Sequence, residues 1–159
     1  MLIKSLSAAA AAAALVLAPM APAGAETLTF DAGVACTFPL QIDSTGSRQI
    51  TKIFDAPDGT VRILNAGRGS DLVFTNLYTE ATYSLPGNGA VRWTRVNADG
   101  SARITLTGHN IVIYFPTDTP AGPSTTLVVG REDIAVDQAG NFTQLSRTGK
   151  TTDICAALT

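Results

Sequence analysis

The side chains best suited to catalysis in this chain are few and scattered. Nucleophilic hydrolysis needs a serine or cysteine that a base activates, and the base is usually histidine. The sequence has a single histidine, His109, and no G-x-S-x-G motif. Ser70 stands among glycines in residues 67–71, a pattern that favours a loop between two strands. We interpret His109 as a turn residue between Leu106 and Ile111.

Metal binding is also weakly indicated. Zinc sites use three or four Cys, His or carboxylate ligands, and the two cysteines present fit a disulfide better. The carboxylates available to calcium are those of Asp55, Asp58, Glu132, Asp133 and Asp137. They lack the D-x-[DN]-x-[DN]-G spacing of a calcium loop. Two acids for glycoside hydrolysis need only meet in space, and the sequence singles out no pair. We predict no metal ion and no other cofactor.

One predicted strand carries residues suited to ligand binding. Val91, Trp93 and Arg95 share a face if the side chains alternate. A tryptophan beside an arginine forms a ligand platform through stacking and cation–π contact. Alternatively, Trp93 fills the core while Arg95 packs its stem at the rim, and the sequence leaves both open. If a pocket exists, Trp93 and Arg95 are the first candidates for its wall, with His109 and the Pro-rich loop 116–124 as secondary ones.

The first 25 residues have the layout of an export signal. Lys4 is the only charge, an apolar run covers residues 8–17, and an A-x-A cleavage motif ends at Ala25. The run is too short to span a membrane, which takes about 20 apolar residues. We predict that residues 1–25 are a removed signal peptide and that residues 26–159 form one domain. The product is then secreted, without a stable membrane anchor.

The two cysteines lie near the two ends of the mature domain, at Cys36 and Cys155. In an oxidising exterior a lone pair of this kind normally forms a disulfide. A redox pair would be expected in a C-x-x-C arrangement, which these two do not have. We therefore predict a Cys36–Cys155 bond. It would restrict the unfolded chain by about 4 to 5 kcal/mol in the chain-entropy model.

The charge balance excludes some partners. Because the predicted signal contains one lysine and no acid, the mature chain has 10 basic and 13 acidic residues. A negative balance argues against nucleic acid, which demands a clustered basic surface, and against an anionic membrane surface. The expected partner is an extracellular small molecule, glycan or protein.

The mature sequence is rich in Thr, Val, Ile and Gly, which favour strands and turns. Short apolar or alternating runs predict strands at 40–42, 50–54, 61–64, 72–77, 82–85, 91–96, 102–107, 111–115, 126–129, 134–136 and 142–145. Hairpin turns are predicted at Asp58-Gly59, Asn88-Gly89, Asp99-Gly100 and Gly140-Asn141.

Alternation also assigns faces to these strands. In residues 102–107, one side of the strand carries Ala102, Ile104 and Leu106, and the other side carries Arg103, Thr105 and Thr107. Residues 111–115 are apolar throughout, which indicates a central strand covered on both faces. We predict an all-β domain, a single antiparallel meander that is either closed as a β-barrel or folded as a β-sandwich.

Four stretches of the mature chain together resemble a known group of proteins. They are Ala35-Cys36-Thr37-Phe38-Pro39-Leu40, Phe74-Thr75-Asn76, Thr107-Gly108-His109-Asn110 and Asp153-Ile154-Cys155-Ala156. These stretches resemble small exported β-rich proteins of high-GC Gram-positive (actinobacterial) bacteria, and the likeness covers nearly the whole mature chain. The resemblance implies export and a single domain. It carries over no functional residue.

Taken together, these patterns favour a secreted binding or interaction module for an unknown extracellular ligand over an enzyme. The common means of making a nucleophile or base at neutral pH are missing. An extracellular hydrolase or isomerase housed in a β-barrel is the first alternative, and a structural cell-envelope component is the second. A convergent polar pocket would indicate binding or catalysis, whereas an exposed apolar patch or an unpaired edge strand would indicate assembly.

Overall fold

The computed structural model describes residues 25–159, so the predicted signal peptide lies outside the described residues except for Ala25. The described chain folds into strands and one short helix. The strands are β1 (Glu26–Phe30), β2 (Leu40–Thr45), β3 (Arg48–Asp55), β4 (Val61–Arg68), β5 (Asp71–Asn76), β6 (Thr82–Leu85), β7 (Gly89–Val96), β8 (Ala102–Tyr114), β9 (Ser124–Val136) and β10 (Phe142–Asp153), and the helix is α1 (Ile154–Ala157). No helix between residues 25 and 159 is long and apolar enough to cross a membrane.

The strands form two antiparallel sheets. A four-stranded sheet has the order β1-β2-β5-β6, and a six-stranded sheet has the order β10-β9-β8-β7-β4-β3. The all-β prediction is confirmed, and the arrangement is sandwich-like. The closed barrel and the single meander were wrong, because the chain crosses between the sheets after β2, β4 and β6 instead of continuing along one sheet.

The four-stranded sheet packs against one end of the six-stranded sheet. Leu40, Ile42 and Phe74 are buried on the small sheet, and Ile111 and Leu127 pack against them from β8 and β9. The predicted disulfide joins Cys36 to Cys155 and closes this cluster beside α1. We define the body as the four-stranded sheet, α1 and the facing segments 109–114 and 124–129.

The six-stranded sheet is bent along a row of small residues. The register aligns Gly67, Ala90, Gly108, Gly130 and Gly149 across five neighbouring strands. A Cβ on Gly108 would lie 2.3 Å from the carbonyl oxygen of Gly89, and one on Gly130 would lie 2.2 Å from that of Thr148. Both glycines also have positive φ angles, 84° and 157°. Only glycine tolerates this backbone and this close approach, so the row marks a crease in the sheet.

A hydrogen bond within the sheet shows how sharp the crease is. The Tyr114 hydroxyl donates to Glu132 Oε1 at 2.7 Å. Glu132 is opposite Leu106, which precedes Tyr114 by eight residues in the same strand. In a straight strand those eight residues would span roughly 27 Å, more than two side chains can bridge. A second core forms inside the crease, where Leu106 and Ile134 contact Val112, Tyr114 and Val128.

The crease explains two wrong boundaries in the sequence analysis. The predicted strands 102–107 and 111–115 are one strand, β8, and the predicted strands 126–129 and 134–136 are one strand, β9. Each glycine between them bends the strand without ending it. His109 therefore lies within β8, and its interpretation as a turn residue was wrong.

The prediction of a central strand at residues 111–115 is confirmed only in part, because Phe115 follows β8 and is exposed, and the segment has a strand partner on one side alone. The segment 111–114 is covered on both faces, because Ile111 and Ile113 pack on the first core while Val112 and Tyr114 are buried in the second. Leu106 is buried and Arg103 is exposed, as the alternation indicates. This segment pairs with β9 alone in the described sheet, since the pairing with β7 ends at Gly108.

Three of the four predicted hairpin turns are confirmed. Gly59, Gly100 and Gly140 have positive φ angles, and each connects strands that are neighbours in the six-stranded sheet. The hairpin at Asn88-Gly89 was wrong, because that segment carries the chain from β6 in the small sheet to β7 in the large one.

Strands β3, β4 and β7 form a region that we call the wing. None of its residues is buried. Its exposed hydrophobic side chains are Ile50 (57%), Ile53 (44%), Phe54 (46%) and Trp93 (42%). The four-stranded sheet does not cover this end of the large sheet, so both faces of the wing are accessible to a partner.

Candidate functional site

The register brings cationic and aromatic side chains together on one face of the wing. Directly opposed residues in antiparallel strands lie on the same face. One such row across the sheet contains Phe54, Arg62, Arg95 and Arg103, and the next contains Lys52, Leu64, Trp93 and Thr105. Leu106 and Ile134 point into the crease from the opposite face. We therefore call the face with Trp93, together with the adjoining residues Arg103 and Thr105 of β8, the outer face of the wing.

Trp93 does not fill the core. It is 42% exposed, and its ring lies beside that of Phe54, with centroids 6.1 Å apart and planes inclined by 29°. Aromatic pairs of this kind stabilise by about 0.5 to 1.5 kcal/mol beyond area burial. The pair thus forms a small aromatic platform that stays open to solvent.

Arg62, Arg95 and Arg103 stand directly opposite one another on β4, β7 and β8, and we call them the arginine row. Neighbouring strands are about 4.8 Å apart, and like charges placed directly opposite each other destabilise a sheet. The salt bridges of residues 25–159 involve Arg68, Arg131 and Arg147, so none of them neutralises the arginine row.

The acid whose pKa is affected by this row is Asp58, in the turn between β3 and β4. Its carboxylate accepts hydrogen bonds from the hydroxyl and the amide of Thr60, at 2.7 and 3.0 Å. These bonds lower the pKa of Asp58, and the positive charge of Arg95 lowers it further. Asp58 therefore stays ionised, and both of these bonds are made to its Oδ1 within its own turn.

A shallow cleft of about 160 Å³ lies on the outer face. It is lined by Arg62, Trp93, Thr94, Arg95, Arg103 and Thr105. The two wall residues singled out by the sequence, Trp93 and Arg95, thus line one cleft. Sequence reasoning missed Arg62 and Arg103, because only the pairing register shows that they oppose Arg95.

The charge of the wing differs from that of the small sheet. Strands β3, β4 and β7 contain six basic residues and a single acid, Asp55. Strands β1, β2, β5 and β6 contain acids and no lysine or arginine. A chain with a net negative balance therefore has one strongly basic end.

This chain matches no family model, no curated protein and no solved structure.

Another cleft, of about 230 Å³, lies between the two sheets. His109 and Ser70 line it together with Leu85 and Ile111. The structure thus places His109 in a different cleft from Trp93 and Arg95. Among the hydrogen bonds of residues 25–159, none is made by the side chain of His109 or Ser70, so neither has the partner that would activate a nucleophile.

The Pro-rich loop, the other secondary candidate, is tied to the body. It connects β8 to β9, and the buried Asp118 accepts hydrogen bonds from the amides of Phe115 and Phe142, at 2.6 and 2.7 Å. Phe115 also packs against Phe30 of β1, with ring centroids 6.2 Å apart. The loop therefore contacts β10, and the preceding Phe115 contacts β1, whereas Trp93 lies on β7.

Most of the acids considered as calcium ligands make hydrogen bonds within the fold. Asp137 accepts hydrogen bonds from the amides of Ala139 and Asn141 and so shapes the β9–β10 turn. Glu132 is fully buried and accepts from Tyr114 and Arg147. The described part of the chain holds no group of three or more potential metal ligands.

Proposed function

We propose that this protein is exported and that, outside the cell, it binds a ligand on the outer face of the wing. The observation that carries the proposal is the exposed Trp93, paired with Phe54 and sharing one cleft with the arginine row. Exposed aromatic and arginine side chains are the groups that most often dominate binding surfaces.

Export is supported by sequence and structure together. The A-x-A motif at Ala25 follows a short apolar run, and the Cys36–Cys155 bond is typical of oxidising compartments. The resemblance to small exported β-rich proteins points in the same direction. N-terminal sequencing of the secreted product should return Glu26, whereas recovery of Met1 in the medium would contradict removal of the signal.

The ligand-binding proposal can be tested with a single pair of variants. Trp93 is the only tryptophan, so its fluorescence reports directly on the proposed site during a ligand screen. For a ligand found this way, Trp93→Ala should weaken binding about 3- to 30-fold by calorimetry. Tyr78→Ala is the matched control, because Tyr78 is 71% exposed and lies after β5 on the small sheet. Equal affinities in both variants would contradict the proposal.

The enzyme alternative predicts a different result. Turnover of an ester or glycoside panel that disappears in a folded His109→Ala protein would assign the function to the cleft between the sheets. It would also overturn the binding proposal as the main function.

Assembly into a structural component is a second candidate, because β3 is an edge strand of the large sheet. Its outer backbone groups have no strand partner in the described residues, and Ile50 and Ile53 are exposed along it. Lys52 in the middle of this strand opposes edge-to-edge pairing, which favours the binding proposal. Sedimentation velocity separates the two: oligomers that disappear in Ile53→Lys would favour assembly, and a monomer at all concentrations would favour binding.

A further inference from the structure

We infer that the ligand of the wing is a linear anionic polysaccharide, whose acidic groups pair with the arginine row while a sugar ring packs on Trp93. This inference rests on the proposed binding function and adds the chemical class of the ligand.

The first step is the unneutralised charge of the row. Three guanidinium groups on adjacent strands repel one another, and no salt bridge joins any of them to an acid within residues 25–159. The charge of Arg95 lowers the pKa of Asp58, but the two residues form no salt bridge. A ligand with several negative charges would remove that repulsion on binding. Arginine is suited to this because its planar fork binds carboxylate, sulfate and phosphate groups through two parallel hydrogen bonds.

The second step is the direction of the row. It crosses three strands at right angles and spans roughly 10 Å, given a strand spacing of about 4.8 Å. Phe54 continues the same row on β3. A linear polymer that crosses the strands would therefore meet an aromatic ring and three cations in turn, whereas a compact ion would reach only one or two.

The third step is the aromatic platform beside the row. Trp93 is two residues from Arg95 on the same strand and face. The faces of aromatic rings pack well against the C–H face of a sugar, and exposed rings held by a neighbour lose little conformational freedom when a ligand binds. A polymer with both sugar rings and acidic groups satisfies the platform and the row together.

The distribution of charge favours a polysaccharide over nucleic acid. Duplex DNA carries one charge per about 1.7 Å of its axis, and the small sheet offers such a polymer acids and no cation. A polysaccharide with a single acidic group on a ring has sparser charges, which three arginines can match. Binding is then confined to the wing.

The test compares defined polymers on the full mature chain. The probes are polygalacturonate, which carries carboxylates, dextran sulfate, which carries sulfates, and unsulfated dextran, which is neutral. We expect both anionic polymers to bind in calorimetry more tightly than dextran and to weaken as salt is added. The stronger of the two identifies the acidic group that is recognised.

Two multiple variants locate the binding. The first removes the row by Arg62→Gln, Arg95→Gln and Arg103→Gln. The second removes charge away from the outer face, by Arg92→Gln on the opposite face of β7 and Lys150→Gln on β10. We expect the first to lose affinity about tenfold or more and the second to stay within about twofold of the wild type. The row variant should also unfold at the same or a higher temperature, since like-charge repulsion is relieved, and this separates lost binding from lost folding.

The outcomes separate this inference from the proposed function. Dextran could bind as tightly as the anionic polymers and lose affinity for Trp93→Ala. This result would overturn the inference that the ligand is anionic and would leave the proposed function standing. Tighter binding of a single-stranded oligonucleotide would overturn the ligand class. Anionic polymers that bind the row variant and Trp93→Ala as tightly as they bind the wild type would contradict both.

Discussion

The body and the wing are built from the same kinds of strand and the same residue types, but they bury very different fractions of them. In the body, Leu40 and Phe74 are inaccessible to solvent and the disulfide closes the cluster. In the wing, Phe54 and Trp93 remain more than 40% exposed. Hydrophobic strands without a covering sheet stabilise a fold little, so the body holds the molecule together and the wing presents side chains.

The crease separates these two roles within single strands. Residues of β8 beyond Gly108 pack against the small sheet, whereas Ala102 and its neighbours pair with β7 of the wing. A continuous strand thus connects a packed region to an open one. This connection holds the arginine row on a sheet whose position is fixed by the body.

The largest expected difference comes from the same truncation made in each region. Phe74→Ala in the body should lower the free energy of unfolding by about 3 to 5 kcal/mol, because it opens a cavity in a closed core. Phe54→Ala in the wing should lower it by only about 0.5 to 1.5 kcal/mol, which is the size of its aromatic contact with Trp93. Urea unfolding measures both. Similar losses would show that the wing contributes to the core as much as the body does.

The crease itself can be tested with glycine substitutions. Gly130→Ala places a Cβ against the carbonyl oxygen of Thr148 and should cost about 2 to 4 kcal/mol. Gly100→Ala is the control, because Gly100 has a φ of 86° but nothing within 4 Å of the added Cβ. Its cost should be about 1 to 2 kcal/mol, from backbone strain alone. Equal midpoints in thermal unfolding would contradict a crease that depends on close backbone approach.

A smaller effect should follow from loosening the crease without touching its backbone. Tyr114→Phe removes a donor to the buried Glu132 and should cost about 1 to 2 kcal/mol. Arg147, which donates to the same carboxylate at 2.6 Å, keeps the charge partly compensated. Tyr78→Phe, on an exposed side chain, should change nothing. Hydrogen exchange should localise the loss to β8 and β9, and a loss confined to the wing would be the contrary result.

The smallest expected effect is the pH dependence of stability that Asp133 causes, on the outer face next to the wing. Arg131, Thr105 and Ser146 hold the pKa of Asp133 well below its ordinary value of 3.8. Because the folded-state pKa is lowered, the carboxylate stabilises the fold above pH 3.8 and loses that contribution as the pH falls through the lowered pKa.

Asp133→Asn should therefore cost about 1 kcal/mol or less at neutral pH, given that Arg131 is largely exposed. The difference from the wild type should shrink as the solution is acidified. Chemical unfolding across a pH series measures it, with Asp31→Asn as a control on an exposed acid. A difference in the free energy of unfolding that grows as the pH falls would contradict the lowered pKa of Asp133.

Composition and alternation were sufficient to predict much of the fold. The apolar and alternating runs fall in strands, and the two cysteines form the predicted bond. These features depend on local pattern. Strand β1 was missed, because the run Thr27-Leu28-Thr29 next to the predicted cleavage site offers too few apolar residues to stand out.

The crease and the arginine row could not be predicted, for one shared reason. A glycine inside a strand has the same local pattern as a glycine in a turn, so Gly108 and Gly130 were read as strand breaks. Only the pairing of distant strands shows that these glycines align, and only the same pairing brings Arg62 and Arg103 opposite Arg95. Trp93 and Arg95 could be named as a pair because they lie on one strand.

The disulfide also determines how the protein responds to proteases. Cys36 and Cys155 are separated by 119 residues, and every connection from β2 to β10 lies between them. A single cut in any of those loops, such as the exposed Asp58 turn, would leave two fragments that remain covalently joined and packed on the same core. A nicked molecule should therefore run as one band on a non-reducing gel and as two after reduction, while its strands stay paired in solution.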